Sequence, residues 1–381
     1  MKAALFHHNL NSAGGELSVL IETIQSLHDL GYKVHLNTIQ KPKLEEISKR
    51  SGKNIPVSST RSIFPFKMNY FGVYQRLFEY LPSFGYKDAD IIVSTNGGFL
   101  PCNIPNNIPI VTYVHFLPSL LTSPLYANSK YTKSLKWKVY FKPYQSMANK
   151  IVGKTLSKSS LCITNSKFTD DAVRSVYPKI NSTVIHPPVD VDKFLIPYQS
   201  KSRDRQVVVI SRFSPEKQIE KAVTIAKMLS RYGIKFKILG SLIPSNNPYF
   251  HSIQKMVATM NLVDMVTLVP NATFEQIQNA MSESRVYLHT MAGEHFGVSI
   301  VEAMAGGLVP VVPSFGGCSE IVDPQYQYGS LEVAAKCILN NMETYNDAVK
   351  EEIHGKSTQY SSTEFRKKLA KHIENLQHVT P

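Results

Sequence analysis

Between Gly293 and Gly317 the chain reads GEHFGVSIVEAMAGGLVPVVPSFGG, a stretch dense in residues able to do chemistry. Glu294 and Glu302 stand eight residues apart. Phe296-Gly297 forms the turn between them, and Val298 opens a helix of small residues. An apolar strand and a Gly-Gly turn follow. A helix N-terminus presents unpaired amides and a partial positive charge, so the amides near Phe296, Gly297 and Val298 can hold phosphate. Gly297 lets that backbone come close to a ligand. One carboxylate precedes the helix, and the other lies about a turn and a half inside it. The layout suits a nucleotide sugar, with diphosphate on the amides, sugar hydroxyls on one glutamate and ribose hydroxyls on the other.

Arg212 and Lys217 belong to ISRFSPEKQIEKAV, directly after an apolar strand and before a helix. A guanidinium fork and a point-charge ammonium together neutralise a departing diphosphate, which leaves only if its growing negative charge is stabilised. Gly14 and Gly15 follow the first strand and precede the first helix, where a phosphate or sugar loop needs close backbone approach. The pattern is not GxGxxG, so no dinucleotide fingerprint is present. His115 ends the strand in IVTYVHFLPS, where it could bond the transferring sugar or steer the acceptor proton. His7 and His8, at the end of the first strand, are weaker candidates. Asp88-Ala-Asp90 and Asp190-Val-Asp192 match a metal-binding DxD by letter but read as turn and cap residues. No metal ligand is expected, because the cations and helix amides already supply the positive charge.

Elements must position these groups. At 381 residues the chain is too long for one ordinary core, and its apolar fraction of 43% is that of a globular protein. The opening reads strand, glycine loop, amphipathic helix, Gly31 and strand. Leu17, Leu20, Ile21, Ile24 and Leu27 recur at helical spacing. Further strands are expected at Ile91–Ser94, Ile110–His115, Leu161–Asn165 and Val184–His186. A second series runs through strand Val207–Ile210, helix Ile219–Arg231, strands Lys235–Leu239 and Val266–Val269, helix Phe274–Met281, strand Val286–His289, helix Val298–Ala305 and strand Val309–Val312. Strands alternating with helices imply an α/β chain with a doubly wound parallel sheet in each half. The expected domains are 1–188 and 189–381, with HPPVDVDKFLIPYQSKSRDRQ as the connector and a terminal amphipathic helix at about 363–378. Ligands of such sheets sit at the carboxyl ends of the strands.

Composition narrows the setting. No apolar run approaches the roughly 20 residues of a membrane span, and Met1-Lys2 leads into a strand, so a cytoplasmic chain is expected. The four cysteines, Cys102, Cys162, Cys318 and Cys337, never form CxxC and are expected as buried thiols. The formal net charge is +13. From Ile91 to Thr169 there is no acidic residue, while nine lysines fall between Lys130 and Lys167. Within segment 130–150, Trp137, Tyr140, Phe141, Tyr144 and Met147 interleave with Lys133, Lys136, Lys138 and Lys142. This basic amphipathic element fits peripheral docking on an anionic membrane face. Ordinary packing of the aromatics on the first domain is the alternative. Pro143 argues for a kink or two helical pieces. No nucleic-acid-binding module is present, and no nucleic-acid partner is expected.

The 293–317 stretch resembles the E-x7-E signature of the GT-B glycosyltransferases of family 4. ISRFSPEK resembles that family's R-x4-K phosphate clamp, and Gly14-Gly15 its glycine loop. The resemblance runs from that loop to the terminal helix. HTMAGEHFG, TYVHFLPS and VIHPPVDV are most similar to the eukaryotic lipid-linked-oligosaccharide α-1,2-mannosyltransferases and their archaeal relatives. It implies two Rossmann-like domains facing across a cleft, the first on the acceptor side and the second binding the nucleotide sugar, with the terminal helix crossing back to the first. It also implies a retaining, metal-independent hexosyltransferase that uses an activated sugar, mannose from GDP-mannose being favoured, and a polyprenyl-linked glycan acceptor. Arg212 and Lys217 would bind the diphosphate, Glu294 the donor sugar and Glu302 the ribose. A UDP-glucose or other UDP-sugar donor is the alternative, followed by a sugar-nucleotide epimerase or a nucleic-acid-binding protein.

Overall fold

Short runs rich in Val, Ile and Leu alternate with amphipathic helices, and in the computed structural model they build two parallel sheets, each in its own compact unit. The structure describes residues 1–10, 14–66, 71–83, 85–118, 120 and 135–379. Lys130 and Lys133 of the basic segment lie outside the described residues.

The first unit comprises residues 1–188 and the terminal helix Ser362–Val379. Its strands are β1 (Lys2–His7), β2 (Lys33–Gln40), β3 (Ser59–Phe64), β4 (Ile91–Ser94), β5 (Ile110–Val114), β6 (Leu161–Thr164) and β7 (Ser182–Val184). They pair in parallel in the order β3-β2-β1-β4-β5-β6-β7. The order reverses between β1 and β4, the switch point at which α/β sheets bind ligands. Helix α1 (Gly15–Asp29) buries Leu17, Leu20, Ile21, Ile24 and Leu27 in the core that also takes Phe365, Leu369 and Ile373 of the terminal helix. A buried carboxylate on α1 joins the two helices electrostatically. Glu22 accepts from Lys53 at 2.5 Å and lies 3.5 Å from Arg366.

After α2 (Leu44–Ser51), helices α3 (Leu135–Lys158) and α4 (Lys167–Val176) complete the unit. Phe141, Tyr144, Ala148, Val152 and Leu156 of α3 share a core with Phe99, Val114, Cys162 and Val173. Helix α3 runs unbroken through Pro143. The sequence argued for a kink or two pieces, but Phe141 and Tyr144, flanking the proline, are both buried, and their packing holds the helix across the missing amide. The aromatic stripe is likewise divided: Phe141 and Tyr144 are core, Tyr140 is half-buried, and Trp137 and Met147 are exposed.

The second unit spans Val189–Ser361. Its strands are β8 (Asp204–Ile210), β9 (Lys235–Gly240), β10 (Val266–Pro270), β11 (Ser284–Leu288), β12 (Val309–Pro313) and β13 (Gln327–Tyr328). They pair in parallel in the order β10-β9-β8-β11-β12-β13, with the switch point between β8 and β11. The expected connector is not a linker throughout. Val189 and Phe194 are buried in this unit's core, and helix α5 (Leu195–Gln199) packs there with Pro197 inside. Arg203, 7% exposed, completes the join. Its guanidinium donates to the carbonyls of Met281 (2.9 Å), Ser284 (2.7 Å), Pro197 (2.6 Å) and Gly306 (2.6 Å).

Helices α6 (Glu220–Met228), α7 (Asn247–Thr259), α8 (Phe274–Glu283), α9 (Val298–Ala305), α10 (Cys318–Ile321), α11 (Leu331–Thr344) and α12 (Asp347–Ser357) complete the unit. A reciprocal Thr273–Gln276 capping box starts α8. Two cysteines depart from expectation: Cys162 and Cys318 are buried, but Cys102 is exposed and Cys337 half-buried. Among the described residues no helix is long and apolar enough to cross a membrane.

Candidate functional site

In the second unit the candidate residues gather at the carboxyl ends of β8 and β11. Lys217 closes a short 3-10 turn, Pro215–Lys217, and its carbonyl accepts from Thr290 Oγ1 at 2.6 Å. Glu294 is held by its own backbone, whose carbonyl accepts from the Gly317 amide at 2.6 Å. Gly317 is required there, because a Cβ would stand 2.0 Å from the His295 carbonyl oxygen. These two anchors bring Lys217 Nζ to 2.5 Å from Glu294 Oε2, with both side chains 17% exposed.

A third group joins them. His289 Nε2 lies 3.5 Å from the same oxygen, and Tyr287 stands 3.3 Å from His289 Nδ1 and 2.8 Å from Ser299 Oγ. Burial alone would raise the Glu294 carboxyl, but Lys217 and then His289 outweigh it and hold the group well below the carboxylate range. Burial also depresses His289, so its imidazole is neutral near pH 7. Glu294 is therefore an ionised acceptor pinned by one cation, the state needed to receive sugar hydroxyls.

Helix α9 begins beside this pair. Its N-cap Gly297 has φ 103° and ψ 64°, a left-handed conformation that glycine adopts without strain. A Cβ there would also meet Ile300 Cδ1 at 2.5 Å. Phe296 turns its ring inward against Tyr360, centroids 5.7 Å apart, so it can offer a ligand only its backbone. Val298 supplies the first amide of α9. Glu302 lies further along the helix, where burial raises its carboxyl to about 7 despite the opposing charge of Lys193. Arg212 is mostly exposed, and its guanidinium reaches Glu216 at 3.6 Å.

In the first unit a second constellation forms at the switch point. His115 follows the end of β5, one residue beyond the strand, and is buried. Its Nε2 lies 3.2 Å from the Thr95 carbonyl, and its own carbonyl accepts from Asn165 Nδ2 at 3.1 Å. Thr95 also links His7, whose Nδ1 is 3.0 Å from Thr95 Oγ1. Gly14 is the N-cap of α1 and Gly15 its first residue. They place Glu16 in the first turn, 3.9 Å from Arg76. Burial by itself would raise Glu16, but His115, Arg76, His8 and His7 together lower it to about 2. Burial lowers His7 to about 4 and also depresses His8 and His115, so these rings are neutral near pH 7.

Ligand-type atoms of His7, His8 and Glu16 lie within 4.8 Å of one another, a cluster the sequence did not point to. The fixed charge of Arg76 competes with any cation for the same carboxylate.

Comparison with known proteins places this geometry. The profile described as "Glycosyltransferase Family 4" matches residues 13–193, and "Glycosyl transferases group 1" matches residues 190–375. The chain belongs to glycosyltransferase family 4. A Candida glabrata relative, "GDP-Man:Man(3)GlcNAc(2)-PP-Dol alpha-1,2-mannosyltransferase", is 26% identical over 231 residues, 55% of this chain and 44% of that protein. The Dictyostelium discoideum protein of that name is 26% identical over 266 residues, 63% of this chain and 51% of the relative. The chain thus spans about half the length of these relatives. Among solved structures, sucrose-phosphate synthase from Thermosynechococcus elongatus superposes with a TM-score of 0.75 at 16% identity, covering 99% of each chain. Anabaena HepE in complex with UDP-glucose gives 0.70 at 15% identity, covering 98% of this chain and 100% of that one. These likenesses show the GT-B fold.

For a family 4 glycosyltransferase, the sequence reading overlooked His289, Glu16, Arg76 and Thr95. His289 carried a signal, since it follows the apolar strand β11 much as His115 follows β5. Thr95 carried the same signal, directly after β4, whereas Arg76, inside the 3-10 helix Gly72–Tyr80, carried none.

Proposed function

We propose that the chain transfers mannose from GDP-mannose to a lipid-linked glycan, with retention at the anomeric carbon and without a metal. The observation carrying the reading is the Lys217–Glu294 pair at 2.5 Å beside the Gly297-capped helix, a cation and an ionised acceptor at one point. The names of the relatives supply the donor and the acceptor class. In this scheme the incoming diphosphate takes Lys217, with Arg212 and the amides of Gly297 and Val298 completing its shell. Glu294, released from Lys217, accepts the hydroxyls of the sugar, and Glu302 accepts the ribose hydroxyls. The acceptor oxygen bonds to the anomeric carbon as the bond from that carbon to the β-phosphate oxygen breaks. The acceptor proton passes to a phosphate oxygen of the departing GDP. His115 is assigned a hydrogen bond to a sugar substrate. Arg212, Lys217 and the helix dipole provide the positive charge that other transferases take from a metal.

The exposed Trp137, Val139 and Met147, with Lys136, Lys138, Lys142 and Lys150, support peripheral contact with an anionic membrane that carries the acceptor.

The test measures thermal stabilisation by GDP-mannose, UDP-glucose, UDP-GlcNAc, GDP and UDP in EDTA. It then follows transfer to a pyrophosphate-linked Man3GlcNAc2 lipid. A ligand at a hundredfold excess over Kd stabilises by about 2.7 kcal/mol. Stabilisation by the guanine nucleotides alone, with an α-linked product formed in EDTA, is expected. Stabilisation by the uridine ligands alone overturns the donor assignment, and transfer that needs added Mg2+ or Mn2+ overturns the metal-free mechanism.

A further inference from the structure

His289 follows directly after β11 and is 3% exposed. Its backbone is anchored on both sides. The amide donates to the Val311 carbonyl at 2.9 Å, and the carbonyl accepts from Tyr328 Oη at 2.7 Å. The two ring nitrogens are unequal. Nδ1 lies 3.3 Å from Tyr287 Oη. Nε2 is buried and has no hydrogen-bond partner among the described residues, although Glu294 Oε2 stands 3.5 Å away. Buried polar atoms are nearly always partnered, so one left open beside a site needs a reason.

The charges decide which nitrogen carries the proton. Burial keeps the ring neutral near pH 7, so it bears a single N–H. A lone pair on Nε2 would repel the ionised Glu294, which puts the proton on Nε2 and leaves Nδ1 to accept from Tyr287. Tyr287 Oη in turn accepts from Ser299 Oγ at 2.8 Å, in the first turn of α9. The chain Ser299–Tyr287–His289 thus ends in an unused donor beside Glu294, whose Oε2 Lys217 occupies at 2.5 Å. A diphosphate that draws Lys217 away leaves a buried carboxylate without its cation, which is strongly unfavourable unless another donor replaces it. Charge-assisted N–H···O bonds are about 2.7–2.9 Å long, so Glu294 need move less than ~1 Å to reach His289.

We propose that His289 is a positioning residue that takes Glu294 over from Lys217 when the diphosphate binds, and so fixes the carboxylate for the sugar hydroxyls. The inference rests on the glycosyltransferase reading above, in which the diphosphate recruits Lys217, and adds the residue that makes the release of Glu294 tolerable.

Two variants test it. His289→Gln keeps a donor near the place of Nε2, whereas His289→Leu keeps only apolar volume. In transfer from GDP-mannose to the pyrophosphate-linked Man3GlcNAc2 lipid, His289→Leu should lower kcat about tenfold or more, the loss expected for one hydrogen bond to a charged group. The acceptor KM should stay within about twofold, and His289→Gln should recover most of kcat. A residue that merely fills space would give the reverse order, because Gln buries a polar amide and Leu does not. A kcat for His289→Leu equal to or above that of His289→Gln therefore overturns the handover.

NMR reads the handover without turnover. With 15N-labelled histidine, the His289 signal, assigned by its loss in His289→Gln, should be that of a neutral ring protonated on Nε2. The Nε2 proton should move downfield on saturation with GDP or with inorganic pyrophosphate. A ring protonated on Nδ1, or an Nε2 proton unmoved by both ligands, overturns the proposal, and transfer by the wild type then leaves the transferase reading standing. A wild type that gives no transfer overturns that reading instead, while the NMR result decides the handover by itself. Circular dichroism of each variant separates unfolding from a lost contact.

Discussion

Replacing Glu302 with Gln should change how stability and nucleotide affinity depend on pH, in opposite directions. The Glu302 carboxyl is raised from its ordinary 4.5 to about 7 by burial, so the native chain holds a proton that the unfolded chain has already released. Between those values the native state binds more protons than the unfolded state, and stability must fall as pH rises through that window. At 1.36 kcal/mol per pH unit the difference caps the effect at about 3 kcal/mol. The side chain keeps some exposure, and solvent screening reduces this to about 1–2 kcal/mol. Glu302→Gln has no such proton to lose. In urea unfolding followed by circular dichroism, the variant should therefore gain about 1–2 kcal/mol on wild type between pH 5 and pH 8.

Affinity runs the other way. Ribose hydroxyls donate to an ionised carboxylate, whose fraction rises about tenfold from pH 6 to pH 8 for a group titrating near 7. GDP affinity of the wild type should strengthen by up to about tenfold over that range, and that of the variant should not. A stability difference between the two proteins that is flat within about 0.5 kcal/mol from pH 5 to pH 8, or of opposite sign, refutes the burial argument.

Four other substitutions probe the site and its scaffold. Lys217→Met leaves Glu294 buried without its cation and should destabilise the protein by about 2–3 kcal/mol in urea unfolding. Adding Glu294→Gln should recover part of that loss, since the uncompensated charge is gone, and a double variant weaker than the sum of the singles would contradict the pairing. Gly297→Ala forces a non-glycine residue to φ 103° against Ile300 and should cost about 1–3 kcal/mol. The same change should weaken GDP stabilisation by shifting the first amides of α9, which thermal shift with and without GDP would read. Arg203→Met removes the donor to four carbonyls and should cost about 3 kcal/mol or more, measured by urea unfolding, with GDP affinity of the folded protein unchanged.

Much of the fold was legible in the residues because it is local. Apolar runs with helical spacing marked α1 and α9, short β-branched runs marked β4, β5, β8 and β12, and glycines marked the turn before α9. The motif residues Lys217, Glu294, Gly297 and Glu302 were legible for the same reason, since each stands at a fixed offset from a strand or helix end. What depends on distant segments meeting was not legible. Lys217 and Glu294 are 77 positions apart, and only the parallel pairing of β8 with β11 brings their loops together. Burial, set by the whole unit, decided that Glu302 titrates near 7, that His289 is neutral, and that α3 continues through Pro143. The amino-acid sequence thus determined the elements and the chemistry carried at their ends, which follow from backbone periodicity and turn stereochemistry. Tertiary structure alone decided which groups touch and in what charge state, because contact and desolvation belong to the packed chain and not to any segment of it.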